Sequence, residues 1–236
     1  MINDSKILVI IPAYNEKDSI ERTLADLLAF KEEKRFRNLD ICVINDGSED
    51  NTATIVKGMN VILVDLPVNL GIGGAVQTGY KYAYTYGYDL AIQFDADGQH
   101  RSSELEKIIN PVLHNECDMC IGGRFVEETS YRGSLQRRLG IYYFEKIIQL
   151  LTGVRVTDAT SGFRCINQKV IKLFAKDYPK DYPEPEVIML LNKRGLKIKE
   201  VSVEMSSREM GKSSITPFRS IYYMLKVSLS ILIRKI

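Results

Sequence analysis

The chain has no apolar run of about 18 or more residues, so nothing in it reads as a transmembrane helix. No leader-like stretch precedes the first apolar segment, because Ile2 to Ser5 leads straight into it, and no secretory signal is expected. Cysteine is scarce, with four residues: Cys42, Cys117, Cys120 and Cys165. Cys117 and Cys120 form a C-x-x-C, but no second pair completes a zinc site, and Cys120 falls in an apolar, strand-like run. Structural thiols in a reducing cytoplasm are therefore expected. Overall charge bias is absent too, the formal net charge being +2. No internal repeat or low-complexity segment is present. The glycine segment Asn69–Gly79 would need glycine at Val76 to read G-x-G-x-x-G, and it follows the third predicted strand. It also lacks Gly-Lys-Ser/Thr. These absences exclude a dinucleotide fingerprint and a Walker A loop.

What remains is an ordinary globular chain of 236 residues, 45% apolar and 26% charged, long enough for one large domain. Lys6–Ile11 is a β-branched run typical of a strand buried on both faces. Pro12-Ala13-Tyr14-Asn15-Glu16 stops it. Asp18 and Ser19 can cap a helix that carries Ile20, Leu24, Leu27 and Leu28 on one face. Leu39–Ile44 reads as a second strand ending in Asn45-Asp46-Gly47-Ser48, with Asp50 and Thr52 able to cap a short helix. Val61–Val64 is a third strand, Gly71–Tyr86 a helix and Leu90–Phe94 a fourth strand. This alternation predicts a mostly parallel α/β sheet with helices on both faces. Further on, a helix is expected from Ser102, a strand over Asp118–Gly122 and a helix over Leu135–Leu151. Short helices follow near Val170–Lys176 and after Pro183, then a strand over Leu196–Val203. In that strand Ile198, Val201 and Val203 are read against Lys197, Lys199, Ser202 and Glu204.

The stretch Phe94-Asp95-Ala96-Asp97-Gly98-Gln99-His100 carries the chemistry. It places two carboxylates just past the end of a buried strand, where ligands gather in open α/β sheets. A D-x-D there suits a hard divalent cation whose coordination is shared with phosphate oxygens and water. A departing diphosphate needs that neutralisation. The loops 12–16, 45–48 and 95–100 all end strands of the same sheet and are expected to face one crevice. The glycines that open the Gly71 helix expose amides suited to a phosphate, or serve close backbone packing; both readings stand. His100 reads as structural and His114 as solvent-facing. From Pro217 the pattern is an amphipathic helix, with Phe218, Ile221, Tyr222, Leu225, Leu229 and Leu232 on one face. Met205–Ile236 holds six basic residues and one acidic residue. This tail is read as a helix at a membrane interface, or as a contact with the core or a second subunit.

Taken together, Ile11-Pro12-Ala13-Tyr14-Asn15-Glu16, Ile44-Asn45-Asp46-Gly47-Ser48, Asn69-Leu70-Gly71, Asp95-Ala96-Asp97-Gly98-Gln99-His100 and Thr160-Ser161-Gly162-Phe163-Arg164 resemble family 2 inverting glycosyltransferases of the GT-A fold. They look most like the dolichyl-phosphate mannosyltransferase and polyprenyl-phosphate glycosyltransferase branch. The resemblance implies a catalytic domain over 1–215 and a C-terminal amphipathic helix over 216–236. It implies that Pro12, Tyr14, Glu16, Asp46 and Gly71 hold the nucleoside part of a UDP- or GDP-sugar, with Asp46 reading a base N–H. Asp95, Asp97 and Gln99 match the group that holds Mg²⁺ or Mn²⁺ and the diphosphate. Arg124 and Arg164 match basic residues near the phosphates, and Ser161 and Gly162 belong to an acceptor-side loop. Arg208, Gly211, Lys212 and Ser213 match a segment that closes over the diphosphate.

The implied reaction moves one sugar to a lipid phosphate at the cytoplasmic membrane face, feeding cell-surface glycan synthesis. The implied partners are the nucleotide-sugar donor, the lipid phosphate and the membrane surface. No nucleic acid is expected, and a homo-oligomer or a membrane protein are the other contacts allowed. A saccharide hydroxyl acceptor would need a general base, for which Asp158 is the candidate. Glu184 and Glu186 read either as donor- or acceptor-side carboxylates or as charges at a helix start. A non-catalytic nucleotide-sugar-binding subunit and a nucleotidyltransferase are the competing classes; the second usually carries a Gly-rich, basic loop that residues 12–16 lack. The sequence departs from its relatives at Ile72 and Gln77, where many carry a basic residue. It also stops short of the transmembrane helices found in many of them.

Overall fold

A computed structural model describes residues 5–33, 38–126, 135–180 and 183–206. The tail helix from Pro217, the segment Arg208–Ser213 and the boundary near residue 215 lie outside these residues. β1 (Ile7–Ala13), α1 (Ile20–Glu33), β2 (Leu39–Asn45), α2 (Thr52–Lys57), β3 (Ile62–Asp65), α3 (Gly71–Thr85) and β4 (Leu90–Gln93) alternate as the sequence predicts. They are followed by α4 (Leu105–Leu113), β5 (Met119–Gly123), α5 (Leu135–Thr152), β6 (Arg164–Asn167), α6 (Gln168–Lys176), α7 (Pro183–Lys193) and β7 (Ile198–Ser202).

The strands form a seven-stranded sheet in the order β3-β2-β1-β4-β6-β5-β7. β1 pairs in parallel with β2 and β4, as β2 does with β3 and β5 with β7. Only β6 runs against its neighbours β4 and β5. The fold is thus α/β with a mostly parallel sheet, as expected. Strand β1 is buried along its whole length, which is why its sequence is apolar without alternation.

Apolar layers cover both faces of the sheet. One contains Leu8, Ile10, Ile44, Tyr80, Ile121, Ile166 and Phe174. The other contains Val9, Ile11, Leu24, Ile92, Phe94, Ile108, Phe163 and Val203. Helix α3 lies close on β1: a Cβ added at Gly79 would stand 2.2 Å from Ile10 Cγ2. A Cβ at Gly73 would stand 2.1 Å from the Lys180 carbonyl oxygen. At these two glycines the close-packing reading holds.

Two sequence expectations are corrected. Strand β6 was missed, since residues 157–164 read as a loop running on to a helix. It is only four residues long and carries Arg164 in the middle of the sheet. The alternation assigned to β7 was also out of phase. Ile198 packs with one apolar layer while Val201 and Val203 pack with the other, so β7 is covered on both faces. The four cysteines are free and buried. His100 is 8% exposed, and His114 is exposed at the end of α4 with Nδ1 2.8 Å from the Asn110 carbonyl oxygen.

Candidate active site

Because β1, β2, β3, β4, β5 and β7 run the same way and β6 runs against them, one edge of the sheet gathers six strand ends and the start of β6. Loops 12–16 and 45–48 meet there, and loop 95–100 leaves the sheet at the same edge. Asp46 N–H donates to the Ala13 carbonyl at 2.8 Å, and Asn15 N–H donates to Ser48 Oγ at 3.0 Å. Asn15 takes the left-handed backbone (φ 57°), and its Oδ1 accepts from Glu49 N–H at 2.9 Å. Glu16 N–H donates to Thr52 Oγ1 at 2.9 Å, while Glu16 Oε2 accepts from Ser19 Oγ at 2.7 Å. Pro12 is the penultimate residue of β1, opposite Ile44 of β2. The Tyr14 ring projects outward, 45% exposed.

Asp46 is buried, and both of its oxygens are engaged: Oδ1 accepts from Leu70 N–H at 2.7 Å and Oδ2 from Gly71 N–H at 2.9 Å. The carboxylate therefore fixes the turn into α3, with Gly71 at φ 77°. Of the glycine amides that open α3, that of Gly71 is met by Asp46. Its link to a nucleobase, inferred from the resemblance, would use the remaining lone pairs of the same oxygens.

Asp95, Asp97, Gln99 and His100 form one connected loop. Asp95 N–H donates to His100 Nδ1 at 2.9 Å, and His100 Nε2 lies 3.5 Å from Asp95 Oδ2. The imidazole thus presents Nε2–H toward the carboxylate. Burial holds the imidazole below its ordinary pKa, although the charges of Asp95 and Asp97 act the other way. The ring stacks on Phe163 at 4.8 Å and meets Phe94 edge-on at 5.3 Å. Gln99 N–H donates to Asp97 Oδ1 at 3.1 Å, and its side-chain amide donates to Asp97 Oδ2. The Asp95 side chain is 35% exposed, open to the crevice. A cavity of about 470 Å³ opens beside Asp97, lined among others by Asp18, Ser19, Arg22, Arg101 and Ser206.

Among the described residues no three His, Cys, Asp or Glu side chains are grouped to hold a metal ion. The donor set present, two carboxylates and an amide, fits Mg²⁺ or Mn²⁺ bound by one or two carboxylates with diphosphate oxygens and water completing the shell.

The loop before β6 comes up against this motif from the other side. A Cβ on Gly162 would stand 2.8 Å from Gln93 Nε2 and 3.1 Å from Asp95 Oδ1, so only glycine lets this backbone lie on the carboxylate. Ser161 Oγ donates to the Gly122 carbonyl at 2.7 Å and accepts from Phe163 N–H at 3.2 Å. Arg164 is 2% exposed; Nε donates to the Ser161 carbonyl at 2.7 Å and Nη2 to the Ala159 carbonyl at 2.9 Å. Its Nη1 is buried without a hydrogen-bond partner, as is Oε1 of Gln93, its cross-strand neighbour.

Arg124 and Asp158 form a two-pronged buried pair, with Nε to Oδ2 at 2.6 Å and Nη2 to Oδ1 at 2.8 Å. They are 4% and 0% exposed. Burial alone would raise the Asp158 pKa, but the bonds and charge of Arg124, with Thr160, outweigh it and hold the carboxyl below its ordinary value. Arg124 and Arg164, expected near the phosphates, therefore have their described bonds inside the loop framework. Asp158, expected as a candidate base, is tied to Arg124 through both oxygens.

Glu200 was missed by the sequence reading. It accepts from Thr157 N–H at 2.7 Å, Thr157 Oγ1 at 3.0 Å and Asp158 N–H at 2.8 Å, and so holds the start of this loop. The signal was available, since Glu200 stands two residues from the inward Ile198. The segment after β7 is also anchored here. His100 pairs in a single antiparallel bridge with Met205, and Ser206 N–H donates to the Gln99 carbonyl at 2.9 Å. Arg208 and Lys212 follow, outside the described residues.

The model for glycosyl transferase family 2 matches residues 8–174. An uncharacterised protein of Methanocaldococcus jannaschii, MJ1222, is 36% identical over 228 residues, covering 94% of this chain and 91% of that protein. The UDP-N-acetylglucosamine–dolichyl-phosphate N-acetylglucosaminyltransferase of Methanococcus voltae is 31% identical over 222 residues, covering 85% of this chain and 86% of that protein. Among solved structures, glucosyl-3-phosphoglycerate synthase from Mycobacterium tuberculosis, in complex with Mn²⁺, UDP-glucose and phosphoglyceric acid, superposes with a TM-score of 0.74 at 18% identity. That match covers 98% of this chain and 80% of the other, and it shows a shared GT-A fold. The chain belongs to glycosyl transferase family 2, as a glycosyltransferase similar to the enzymes of that family that act on polyprenyl and dolichyl phosphates.

Proposed function

We propose that this glycosyltransferase moves one sugar, with inversion, from a UDP- or GDP-sugar to a polyprenyl- or dolichyl-phosphate acceptor at the cytoplasmic face of a membrane, feeding cell-surface glycan synthesis. The observation that carries the proposal is the contact of Gly162 with Asp95, which brings the acceptor-side loop onto the D-x-D motif. The Methanococcus voltae relative is named for a UDP-sugar donor and a dolichyl-phosphate acceptor, which supports the same pairing here.

Tyr14 offers a ring face to the base, and Pro12, Glu16, Asp46 and Gly71 shape the nucleoside end of the crevice. Asp95, Asp97 and Gln99 would hold Mg²⁺ or Mn²⁺, which when bound neutralises charge on the departing diphosphate. Arg208 and Lys212, following directly on the anchored Ser206, supply further positive charge for that diphosphate. A phosphate monoester has a second pKa of about 6 and is largely dianionic at neutral pH, so it attacks without a base. The two-pronged engagement of Asp158 by Arg124 favours this acceptor over a saccharide hydroxyl, which would require a free base. Asp158 then positions Arg124, and Arg164 with Ser161 keeps Gly162 on Asp95.

The test is transfer of radiolabelled sugar from a panel of UDP- and GDP-sugars to a short polyprenyl phosphate with Mn²⁺. Transfer to a free saccharide but not to the lipid phosphate would overturn the acceptor assignment. Donor binding without transfer to either would favour a binding subunit.

A further inference from the structure

The sequence carries one motif that sugar transfer does not use, the C-x-x-C of Cys117 and Cys120. The crevice lies at the carboxyl ends of the parallel strands, whereas Cys117 stands just ahead of β5, at the opposite edge of the sheet. Both side chains belong to the apolar layer that also holds Cys165, which faces Cys120 across the β5–β6 pairing. Cys120 is fully enclosed, but Cys117 is 3% exposed and directly follows the exposed residues 114–116. The Cys117 and Cys120 thiols are hydrogen-bonded to each other, so the two sulfurs are already neighbours. Lys199 stands opposite Cys120 on β7, and its Nζ meets Glu116 Oε2 at 2.5 Å, which sets an ammonium beside the residue preceding Cys117.

The two thiols are chemically unlike. The hydrogen bond from Cys120 holds the Cys117 thiol below its ordinary pKa; it outweighs burial, and the Lys199 charge assists. The same hydrogen bond, with burial, pushes Cys120 far up. Burial pushes Cys42 up to about 12 and raises Cys165 as well. One thiol of the four is thus set to attack, and one stands next to it.

We propose that Cys117 and Cys120 form a redox modification site that reacts with a low-molecular-weight disulfide, Cys117 attacking and Cys120 resolving. The Cys117 thiolate attacks one sulfur of the small disulfide, forms a mixed disulfide and expels one thiolate. The Cys120 sulfur then attacks Cys117 Sγ, forms the Cys117–Cys120 bond and expels the second thiolate. The two protons lost by the cysteines go to the two departing thiolates. The protein dithiol is oxidised by two electrons, and the small disulfide is reduced to two thiols. Cys165 is left out, because the hydrogen bond of Cys117 already selects Cys120 as its partner. The site is independent of the donor and acceptor assignments, since it shares no residue with the crevice.

The experiment uses the full chain and needs neither donor nor acceptor. The folded protein is incubated with bis(2-hydroxyethyl) disulfide, quenched in acid, alkylated with iodoacetamide in denaturant and digested with trypsin. Cys117 and Cys120 fall in one tryptic peptide, residues 108–124, and Cys165 in another. The 108–124 peptide should appear unalkylated and two hydrogens lighter, and dithiothreitol should restore it, while Cys42 and Cys165 are alkylated. Cys117→Ser should abolish that product and leave Cys120 alkylated. In the untreated wild type, which does not depend on a variant folding, iodoacetamide should label Cys117 at least about tenfold faster than Cys42, since each unit of pKa is a tenfold change in thiolate. Four alkylated cysteines after treatment overturn the proposal. So does a link between the peptides of Cys120 and Cys165, or a hydroxyethyl mixed disulfide that persists on Cys117 and is never resolved.

Discussion

Replacing Asp158 with asparagine tests whether this residue is a strut or a base. The substitution keeps the shape of the side chain but turns one oxygen into an N–H donor facing the Arg124 guanidinium. Arg124 is 4% exposed, so its charge loses the Asp158 carboxylate within the interior. Breaking a buried pair from one side costs about 3–5 kcal/mol. For a chain of this size each kcal/mol lowers Tm by roughly 2–4 °C, so a fall of about 6–20 °C is expected. Urea titration should show a lower midpoint at an unchanged slope. The double variant Arg124→Met/Asp158→Leu should recover much of the loss, because an apolar pair of similar volume can replace a buried ion pair. Stability of Asp158→Asn within about 1 kcal/mol of wild type, together with a collapse of kcat, would refute this reasoning and make Asp158 a base.

The same pair fixes a pH dependence. The Asp158 carboxyl is held below its ordinary value of 3.8, so its contribution is complete above that pH and is lost as the pH falls through the lowered value. Acid unfolding monitored below pH 3.8 should therefore be less steep in the double variant than in wild type. Gly162→Ala sets a methyl 2.8 Å from Gln93 Nε2 and 3.1 Å from Asp95 Oδ1, and should weaken Mn²⁺-dependent UDP binding in calorimetry at least tenfold, about 1.4 kcal/mol, with a fall in Tm as the loop shifts. Asp97→Ala should abolish sugar transfer while the far-ultraviolet circular dichroism stays that of wild type; full turnover with added Mn²⁺ would remove Asp97 from the site. Gly73→Ala forces a methyl to 2.1 Å from a backbone oxygen, and should cost about 1–3 kcal/mol in urea titration. Unchanged stability there would show that the 178–180 segment gives way freely.

The local order of the chain was legible in the sequence because its causes are local. Apolar, β-branched-rich runs such as Lys6–Ile11 are typical of strands covered on both faces. The intervening helices carry their apolar residues on one face, and polar loops stop each strand. Parallel strands joined by helices then oblige loops 12–16, 45–48 and 95–100 to share an edge, so the acidic crevice followed from the pattern. What only the tertiary structure decided involves partners distant in the chain. Arg164 reads as a surface charge or a phosphate ligand until β6 is seen to insert between β4 and β5, where its guanidinium is enclosed by the carbonyls of its own loop. Asp158 reads as a free carboxylate until Arg124, 34 residues earlier, is found on both of its oxygens. Asp46 reads as a ligand residue alone, but the amides of Leu70 and Gly71 are also found on its two oxygens. In each case the sequence specifies a charged group, while its hydrogen-bond partner is chosen by strand order, which no local pattern encodes.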